Sequence, residues 1–200
     1  MFQKPADTQT PILEPLAQRW SGRAYDPARP VERSQLLAVL EAARWAPSCF
    51  SYQPWRLLIW NRTEDDGSWQ QAFACLSEGN RAWAGQAPLL LLACAETQFT
   101  DGRPNRWAQY DTGAAMMSLS VQATALGLMV HQMGGFDAGR IREQFAIPDT
   151  FDCIAMLTLG YQVPRDQIPA ELQERELAPR SRRPLGESFF EHRWGAALKT

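Results

Sequence analysis

A chain of 200 residues, 45% of them hydrophobic, is long enough for one full core and somewhat short for two independent domains. Its formal net charge of −2 and isoelectric point near 5.7 give no overall electrostatic reason to bind nucleic acid or an anionic membrane. We therefore expect a single domain over residues 1–200, with neither nucleic acid nor membrane as a partner.

The first residues, MFQKPADTQTPILEPL, have no charged start, apolar stretch or small-residue cleavage site of the kind a secretory signal needs. The longest apolar run, residues 88–95, is too short to span a bilayer. The cysteines form neither a CxxC pair nor a Cys/His cluster suited to zinc. We expect a cytoplasmic protein with reduced cysteines and no metal site.

In the first half of the chain, apolar residues recur in two kinds of pattern. Helices are predicted over residues 9–19, 31–45 and 66–86, and Pro47 lies just after the second of them. Short apolar runs at residues 56–60 and 88–95 have the length of buried strands.

The segment over residues 105–128 predicts the longest helix. Met116 and Leu119 lie on one apolar stripe, whereas Met117 and Val121 put apolar groups on other faces. A soluble helix that is apolar nearly all round has to be buried on all sides. We expect this helix at the centre of the fold or at a subunit interface.

A loop with two glycines, HQMGGFD, follows this helix. A short helix is predicted over residues 138–145 with Asp137 as its N-cap, and a further strand over residues 153–161. Helices interleaved with strands indicate a mixed α and β domain.

From residue 162 onward the chain is rich in Pro, Arg and Glu, and it ends in Phe189, Phe190 and Trp194. A polar extension tipped with aromatic side chains cannot form its own core, so we expect it to pack on something else. The alternative is a partly disordered tail, because this composition also suits disorder.

Several common catalytic motifs are missing: there is no GxGxxG, P-loop, HExxH or GxSxG. With only His131 and His192 in the chain, a Ser-His or Cys-His nucleophile has few candidates. If the protein is an enzyme, we expect a cofactor to supply the reactivity.

Two arginine-rich segments lie near the two chain ends, RWSGR at residues 19–23 and APRSRRP at residues 178–184. The planar guanidinium group suits phosphate oxygens, and Ser21 and Ser181 can add hydroxyl contacts. A phosphate held where the two termini meet is therefore one interpretation. Solvated surface charge is the alternative for either segment alone.

These segments and several others, in order, resemble the FMN-dependent nitroreductase family. The resemblance covers about residues 16–186. It is carried by RWSGRAYDPARPV, LLAVLEAARWAPSCFSYQPWRLLI, GNRAWA, YDTGAAMMSLSVQATALGL, HQMGGFD, LGYQVP and ELAPRSRRPL. The HQMGGFD and ELAPRSR segments are most similar to the flavin reductases of desulfurisation systems.

The resemblance implies an α+β protein with a three-layer α/β/α fold and a mixed, mainly antiparallel sheet. It also implies an obligate homodimer with two FMN sites at the interface, in which the C-terminal arm, residues 162–200, is exchanged with the partner subunit. Both implications agree with the all-apolar helix and the aromatic-tipped extension.

The resemblance further implies the residues of the flavin site. Arg19, Trp20, Ser21 and Arg23 would line its phosphate and pyrimidine side, and Asn80 would hydrogen-bond the pyrimidine edge. The remaining cofactor-binding residues fall into three groups. Arg180 and Arg182 would meet the phosphate; Pro47, Ser48, Cys49 and Ser51 would approach from the other subunit; and Gln132, Met133, Gly134 and Gly135 would lie against the ring near N5.

Physical reasons exist for these residue types. An FMN phosphate carries a charge of about −1.5 to −2, which charge-assisted arginine hydrogen bonds match. Reduced flavin gathers negative charge near N1 and O2, so a cation such as Arg23 favours it. Glycines 134 and 135 let the backbone come close to a planar ring and point an N–H at N5, so no catalytic side chain is expected.

Two positions depart from the family pattern. Ser51 replaces the Asn that usually precedes the QPW element, so one flavin contact is expected to be missing or water-mediated. Trp83 stands where some relatives carry a Lys, which leaves a larger electrostatic role to Arg23. We interpret His131 as a structural histidine rather than a catalytic acid, and Cys49 as a packing residue rather than a nucleophile.

The function implied by the resemblance is the reduction of bound FMN by NADH or NADPH, followed by reduction of a small acceptor such as a nitroaromatic, a quinone or free flavin. One alternative is a flavin reductase that supplies reduced FMN to a monooxygenase, with FMN as substrate. Another is a non-catalytic flavin-binding protein. Since there is no dinucleotide fingerprint, both substrates are expected to bind over the flavin in turn, with ping-pong kinetics.

Overall fold

The computed structural model describes residues 2–199, and its centre is a four-stranded sheet in the order β1-β2-β4-β3. The strands are β1 (Trp55–Asn61), β2 (Leu89–Glu96), β3 (Met129–Met133) and β4 (Phe151–Gly160). The helices are α1 (Glu14–Gln18), α2 (Arg33–Arg44), α3 (Asp66–Phe73), α4 (Glu78–Ala84), α5 (Ala108–Ala125), α6 (Ala138–Gln144), α7 (Ala170–Leu177) and α8 (Leu185–Ser188).

Helices cover both faces of the sheet, which makes three layers. Alternate residues of β2 point to opposite faces. Leu89 and Leu91 pack with α2 and α5 in one core, and Leu90 and Leu92 pack with α3, α4 and α6 in the other. Because both faces are covered, β2 is buried along nearly its whole length. Burying each leucine stabilises the fold by roughly 1.5–3 kcal/mol.

The expected three-layer α+β fold is confirmed, with one correction to the sheet. All strand pairings within residues 2–199 are antiparallel, so the sheet formed by the described residues is not mixed. The reason lies in the connections: the chain reverses direction between β1 and β2 and again between β3 and β4, and β4 inserts antiparallel beside β2.

Most predicted elements are found within a few residues of their expected bounds, but the helical stretch at residues 66–86 is two helices, α3 and α4, and the first helix begins at Glu14 and not at residue 9. Asp137 is the N-cap of α6, where its carboxylate accepts a hydrogen bond of 2.9 Å from the Arg140 backbone N–H. The prediction of a loop directly after α5 was wrong, because residues 129–133 form strand β3. The polar residues His131 and Gln132 break the apolar pattern of this segment, so the sequence does not predict an edge strand, which here pairs with β4 alone among the described strands.

Helix α5 is buried against the sheet and α2 on one side only. Thr112, Met116 and Leu119 face inward, whereas Met117 is partly exposed and Tyr110 is 77% exposed. One chain therefore does not bury α5 on all sides. That this helix lies at a subunit interface stays a prediction. Within residues 2–199, no helix is long and apolar enough to cross a membrane.

The C-terminal extension contains two helices that the sequence did not predict, α7 and α8, and it meets the N-terminal segment. The Lys4 ammonium donates to the Glu176 carbonyl at 2.7 Å, and the Leu185 backbone N–H donates to the Gln9 side chain at 2.9 Å. The aromatic tip projects outward, with Trp194 91% exposed. The N-terminal segment and the C-terminal extension are thus in direct contact.

Candidate functional site

A cleft of about 650 Å³ opens where the N-terminal segment meets the C-terminal extension, beside Met117 of α5. Its lining brings together the two arginine-rich segments that the sequence pairs at a phosphate. The cationic residues that line it are Arg19, Arg180, Arg182 and Arg183. Asp7 is the one acidic residue among its described lining, so the cleft favours an anionic group.

Two of these arginines are partly withdrawn from water. Desolvation lowers the pKa of Arg19 and of Arg180, and like charge lowers it further: Arg182 acts on both, and Arg19 also acts on Arg180. Arginines still keep their charge at neutral pH. Converging positive charges without an anion between them repel one another, so a bound phosphate would relieve this repulsion.

Arg180 is a structural member of this cleft. Its guanidinium donates to the carbonyls of Lys4 and Ala17 at 2.7 Å and of Arg19 at 2.9 Å. It thereby fixes the N-terminal segment against the C-terminal extension. Contact between Arg180 and the phosphate remains a prediction, since only the guanidinium N–H groups not bonded to these carbonyls are left to make it.

The RWSGR segment continues from the cleft towards α4. Ser21 is exposed, and the Trp20 ring lies 4.5 Å below the Lys4 ammonium. The Arg23 guanidinium lies 5.7 Å from the centre of the Trp83 ring, in the place where the sequence departs from the family pattern. Within residues 2–199, the buried Nε of Arg23 has no hydrogen-bond partner.

The glycine loop after β3 lies against the start of α4. The Gly135 carbonyl accepts from the Ser77 backbone N–H and from the Asn80 side-chain amide, each at 2.9 Å. A Cβ at position 135 would lie 2.7 Å from Ser77 Oγ and 2.8 Å from Asn80 Nδ2, whereas one at Gly134 would meet nothing within 4 Å. Gly135 is thus required for packing, and Gly134 faces open space.

The neighbours of the two glycines have different surroundings. Gln132 is exposed and donates from its amide to Ser120 Oγ of α5 at 3.2 Å. Met133 is buried in the core, so only its backbone can face a ligand. The structure therefore brings the loop, Asn80 and the Arg23 segment together around Trp83 and His131.

His131 is a hydrogen-bonded histidine, in agreement with its structural interpretation. Its Nδ1 lies 3.0 Å from the Gly22 carbonyl, and its ring centre lies 4.5 Å from that of Trp83. Burial, together with the charges of Arg23 and Arg19, lowers its pKa to about 4. The ring is neutral at pH 7, with Nδ1–H donating to the carbonyl.

The segment at residues 47–51 lies elsewhere in the chain. The Cys49 backbone N–H donates to the Asp111 carboxylate of α5 at 2.9 Å, and Ser48 Oγ accepts from the Gln53 N–H at 3.0 Å. Phe50 and Ser51 both have φ of 54°, a left-handed conformation that is costly for such residues.

Within the described residues, no hydrogen bond joins residues 47–51 to the arginine cleft or to the glycine loop. Phe50 is 90% exposed, and Pro47 and Ser51 are exposed as well. One chain therefore does not unite all the predicted site residues, and the assignment of this segment to the partner's site remains a prediction.

Two residues that contribute to this geometry were not predicted. Asp111 is buried and holds the strained turn through Cys49. Glu176 is buried in α7, and its carboxylate accepts from the Arg23 backbone N–H at 2.7 Å. Asp111 could have been found from the sequence, because an acidic residue stands out among the apolar residues of α5. Glu176 could not, because the charged ERE stretch gives no sign that one of its residues is buried.

Comparison with known proteins agrees with this fold. The family model described as "Nitroreductase family" matches residues 16–161. This is more than half of the chain, and the chain belongs to that family, as the sequence motifs predict.

Three similar proteins illustrate the relationship. A solved structure described as an "oxidoreductase containing FMN" is 36% identical, with a TM-score of 0.87 over 95% of this chain and 96% of that one. A nitroreductase family protein from Clostridium difficile 630 is 28% identical, with a TM-score of 0.67 over 92% and 99%. A Ralstonia nicotianae protein, provisionally named NADH dehydrogenase/NAD(P)H nitroreductase, is 26% identical over 151 residues, 66% of this chain and 76% of its own length.

Proposed function

We propose that this protein is an FMN-dependent oxidoreductase that takes hydride from NADH or NADPH and reduces a small acceptor such as a nitroaromatic, a quinone or free flavin. The observation that carries the proposal is the continuity of the site. The arginine cleft, the Arg23 segment and the glycine loop adjoin one another around Trp83 and His131.

The residues present fit FMN. Arg19 and Arg182 offer cations for its phosphate, and Arg23 and Asn80 offer polar groups for the pyrimidine edge. The buried, unpartnered Nε of Arg23 is a donor that lacks an acceptor within residues 2–199. Gly134 leaves open space where a flat ring can approach the backbone.

Bound FMN would supply the redox chemistry, the transfer of hydride from NAD(P)H and of reducing equivalents to the acceptor. The protein's own residues hold and orient the reactants. Arg23 provides a positive charge where negative charge develops. His131 is neutral at pH 7 and engaged with Gly22, so protons for the acceptor come from solvent.

NAD(P)H and the acceptor share one place above the flavin in this proposal. Every strand pairing among the described residues is antiparallel, and the chain carries no GxGxxG, which supports a single shared position. Both substrates have to come within about 3 to 3.5 Å of N5, so they exclude each other.

Steady-state and anaerobic stopped-flow kinetics test the proposal. We expect NADH or NADPH to bleach the flavin absorbance, and an acceptor panel to restore it. Double-reciprocal plots at several acceptor concentrations are expected to be parallel, as in a ping-pong mechanism. Unchanged absorbance would indicate a non-catalytic flavin-binding protein. Converging lines with a ternary complex would require a separate nucleotide site.

A second candidate is a flavin reductase in which FMN is a substrate that leaves the site. Ser51 favours it, because this exposed serine replaces an amide expected to contact the flavin and so weakens cofactor retention. Purification distinguishes the two: tightly copurifying flavin supports the first function, and colourless protein with NAD(P)H:flavin activity supports the second.

A further inference from the structure

Glu176 is a buried carboxylate next to the candidate flavin site. The residue has 0% exposure, although it belongs to a short helix of the polar C-terminal extension. Its Oε1 accepts from the Arg23 N–H at 2.7 Å, and its backbone carbonyl accepts from the Lys4 ammonium at 2.7 Å. Within residues 2–199, its buried Oε2 has no hydrogen-bond partner.

Burial of a charged carboxylate is costly if its only role is to accept a structural hydrogen bond. Burial raises the pKa of Glu176, against the opposing effects of the Arg23 and Ala24 backbone N–H groups and of the Arg23 and Lys4 charges. A neutral side chain of the same shape could accept the same Arg23 hydrogen bond without the penalty of a buried charge. The charge itself therefore calls for an explanation.

Of the charges that act on the Glu176 carboxylate, Arg23 has the largest effect. The Arg23 Nε is buried and unpartnered like Glu176 Oε2, and desolvation and the Arg175 charge lower the Arg23 pKa, while Glu176 raises it. Gly22 makes the approach possible, because a Cβ there would lie 3.2 Å from Glu176 Oε2 and 2.3 Å from Met129 Sδ. The two chain ends are thus coupled electrostatically beside the site.

We propose that Glu176 is a positioning residue of the flavin site, whose carboxylate holds the Arg23 backbone, offsets part of the Arg23 charge and thereby sets the reduction potential of bound FMN. This inference rests on the proposed function. Removal of the Glu176 charge leaves Arg23 uncompensated, which favours the reduced, more negative flavin.

The test compares wild type, Glu176→Gln and, as a matched control, Glu174→Gln on the exposed side of α7. The readout is the two-electron midpoint potential of the FMN-loaded proteins at pH 8, measured by dye equilibration. We expect Glu176→Gln to be more positive, equivalent to an about tenfold stronger preference for reduced over oxidised FMN, the scale of one pKa unit. Glu174→Gln should equal wild type.

The pH dependence adds a signature that a purely structural role lacks. As the pH falls through the raised pKa of Glu176, the carboxyl group takes up a proton and the gap between wild type and Glu176→Gln should close. The other charged or titratable groups around it, Lys4, Arg23, Tyr25 and His131, are present in both proteins, so the difference isolates Glu176.

Equal potentials at pH 8 would overturn the inference, as would an unchanged shift in an Arg23→Gln background, because the effect is argued to act through Arg23. Thermal unfolding of the flavin-free proteins gives an independent readout. The folded-state pKa of Glu176 is raised, so its ionisation costs stability as the pH rises. Glu176→Gln should melt higher than wild type at pH 8, and this difference should shrink as the pH falls through the raised pKa.

The experiments distinguish failure of the proposed function from failure of the inference about Glu176. If wild type does not bind FMN, the proposed function fails, and the melting comparison still tests the buried charge. If wild type binds FMN and is reduced by NAD(P)H while Glu176→Gln matches it in potential and in melting, only the inference about Glu176 fails.

Discussion

Arg180 and Arg182 lie two positions apart in the same motif and make different contacts. Arg180 directs its guanidinium at three backbone carbonyls of the N-terminal segment. Arg182 is exposed and lines the cleft, and among residues 2–199 it donates only to the Ser181 carbonyl, so most of its donors are unengaged there. Arg180 therefore stabilises the lining of the cleft, and Arg182 is available to bind an anion.

Substitution of Arg182 by Ala is expected to weaken FMN binding by about 1.5 to 3 kcal/mol, the usual scale for a hydrogen bond to a charged group. Arg183→Ala is the matched control: it removes a neighbouring charge one position outside the motif and should cost much less. Flavin titration of the two apoproteins measures both. Equal affinities would remove Arg182 from the phosphate site.

The glycine loop and α4 form one packed element, in which the two glycines have separate roles. A Cβ at Gly135 would force the Ser77 and Asn80 side chains at the start of α4 to shift. A Cβ at Gly134 would meet nothing of the described chain within 4 Å. Neither glycine has a positive φ, so backbone conformation does not account for them, and close approach accounts for Gly135 alone.

Gly135→Ala is expected to lower the free energy of unfolding of the flavin-free protein by about 1–3 kcal/mol, because the added methyl overpacks the contact with α4. Gly134→Ala should leave that stability nearly unchanged and weaken FMN binding, because its methyl would occupy the space proposed for the ring. Chemical denaturation and flavin titration of both variants separate these effects. A stable Gly134→Ala protein with wild-type affinity would place the ring elsewhere.

Apolar pattern predicted the elements that pack in the two cores. The run in β2 predicted both a strand and its burial, whereas the run in α5 predicted the helix but not its one-sided burial within the chain. The pattern failed for β3, where polar residues sit on an edge strand, and for α7, whose buried residue is a glutamate. The family motifs predicted the candidate flavin-binding residues of the site. They did not predict the carboxylates Asp111 and Glu176, whose roles depend on contacts between distant segments that a local sequence pattern does not show.

As a whole, the subunit leaves large apolar side chains uncovered. Tyr110 and Met117 lie on the outer face of α5, and Phe189 and Trp194 lie at the tip of the C-terminal extension. Large exposed apolar side chains of this kind are typical of interaction sites. It supports the predicted homodimer in which the partner's strained 47–51 turn reaches the flavin.

We expect sedimentation to show a dimer with no stable monomer at micromolar concentration. Tyr110→Glu, which places a charge on the uncovered face of α5, should dissociate the predicted dimer and release FMN together, because that dimer model has both subunits contribute to each site. Circular dichroism of the variant checks that the fold is retained. A folded monomer that still holds FMN would contradict the shared site.

The meeting of the two chain ends also has a consequence for how the protein is made. Arg180 contacts Lys4 across 176 positions, and Glu176 contacts Arg23 across 153. Contacts of such long range form late in folding, since the loop between them has to be ordered first. On the ribosome, Arg19 of this cleft emerges well before Arg180 and Arg182, so the cleft is incomplete until the C-terminal extension has been synthesised. A nascent chain that stops before this extension contains the whole sheet but only part of the proposed flavin site.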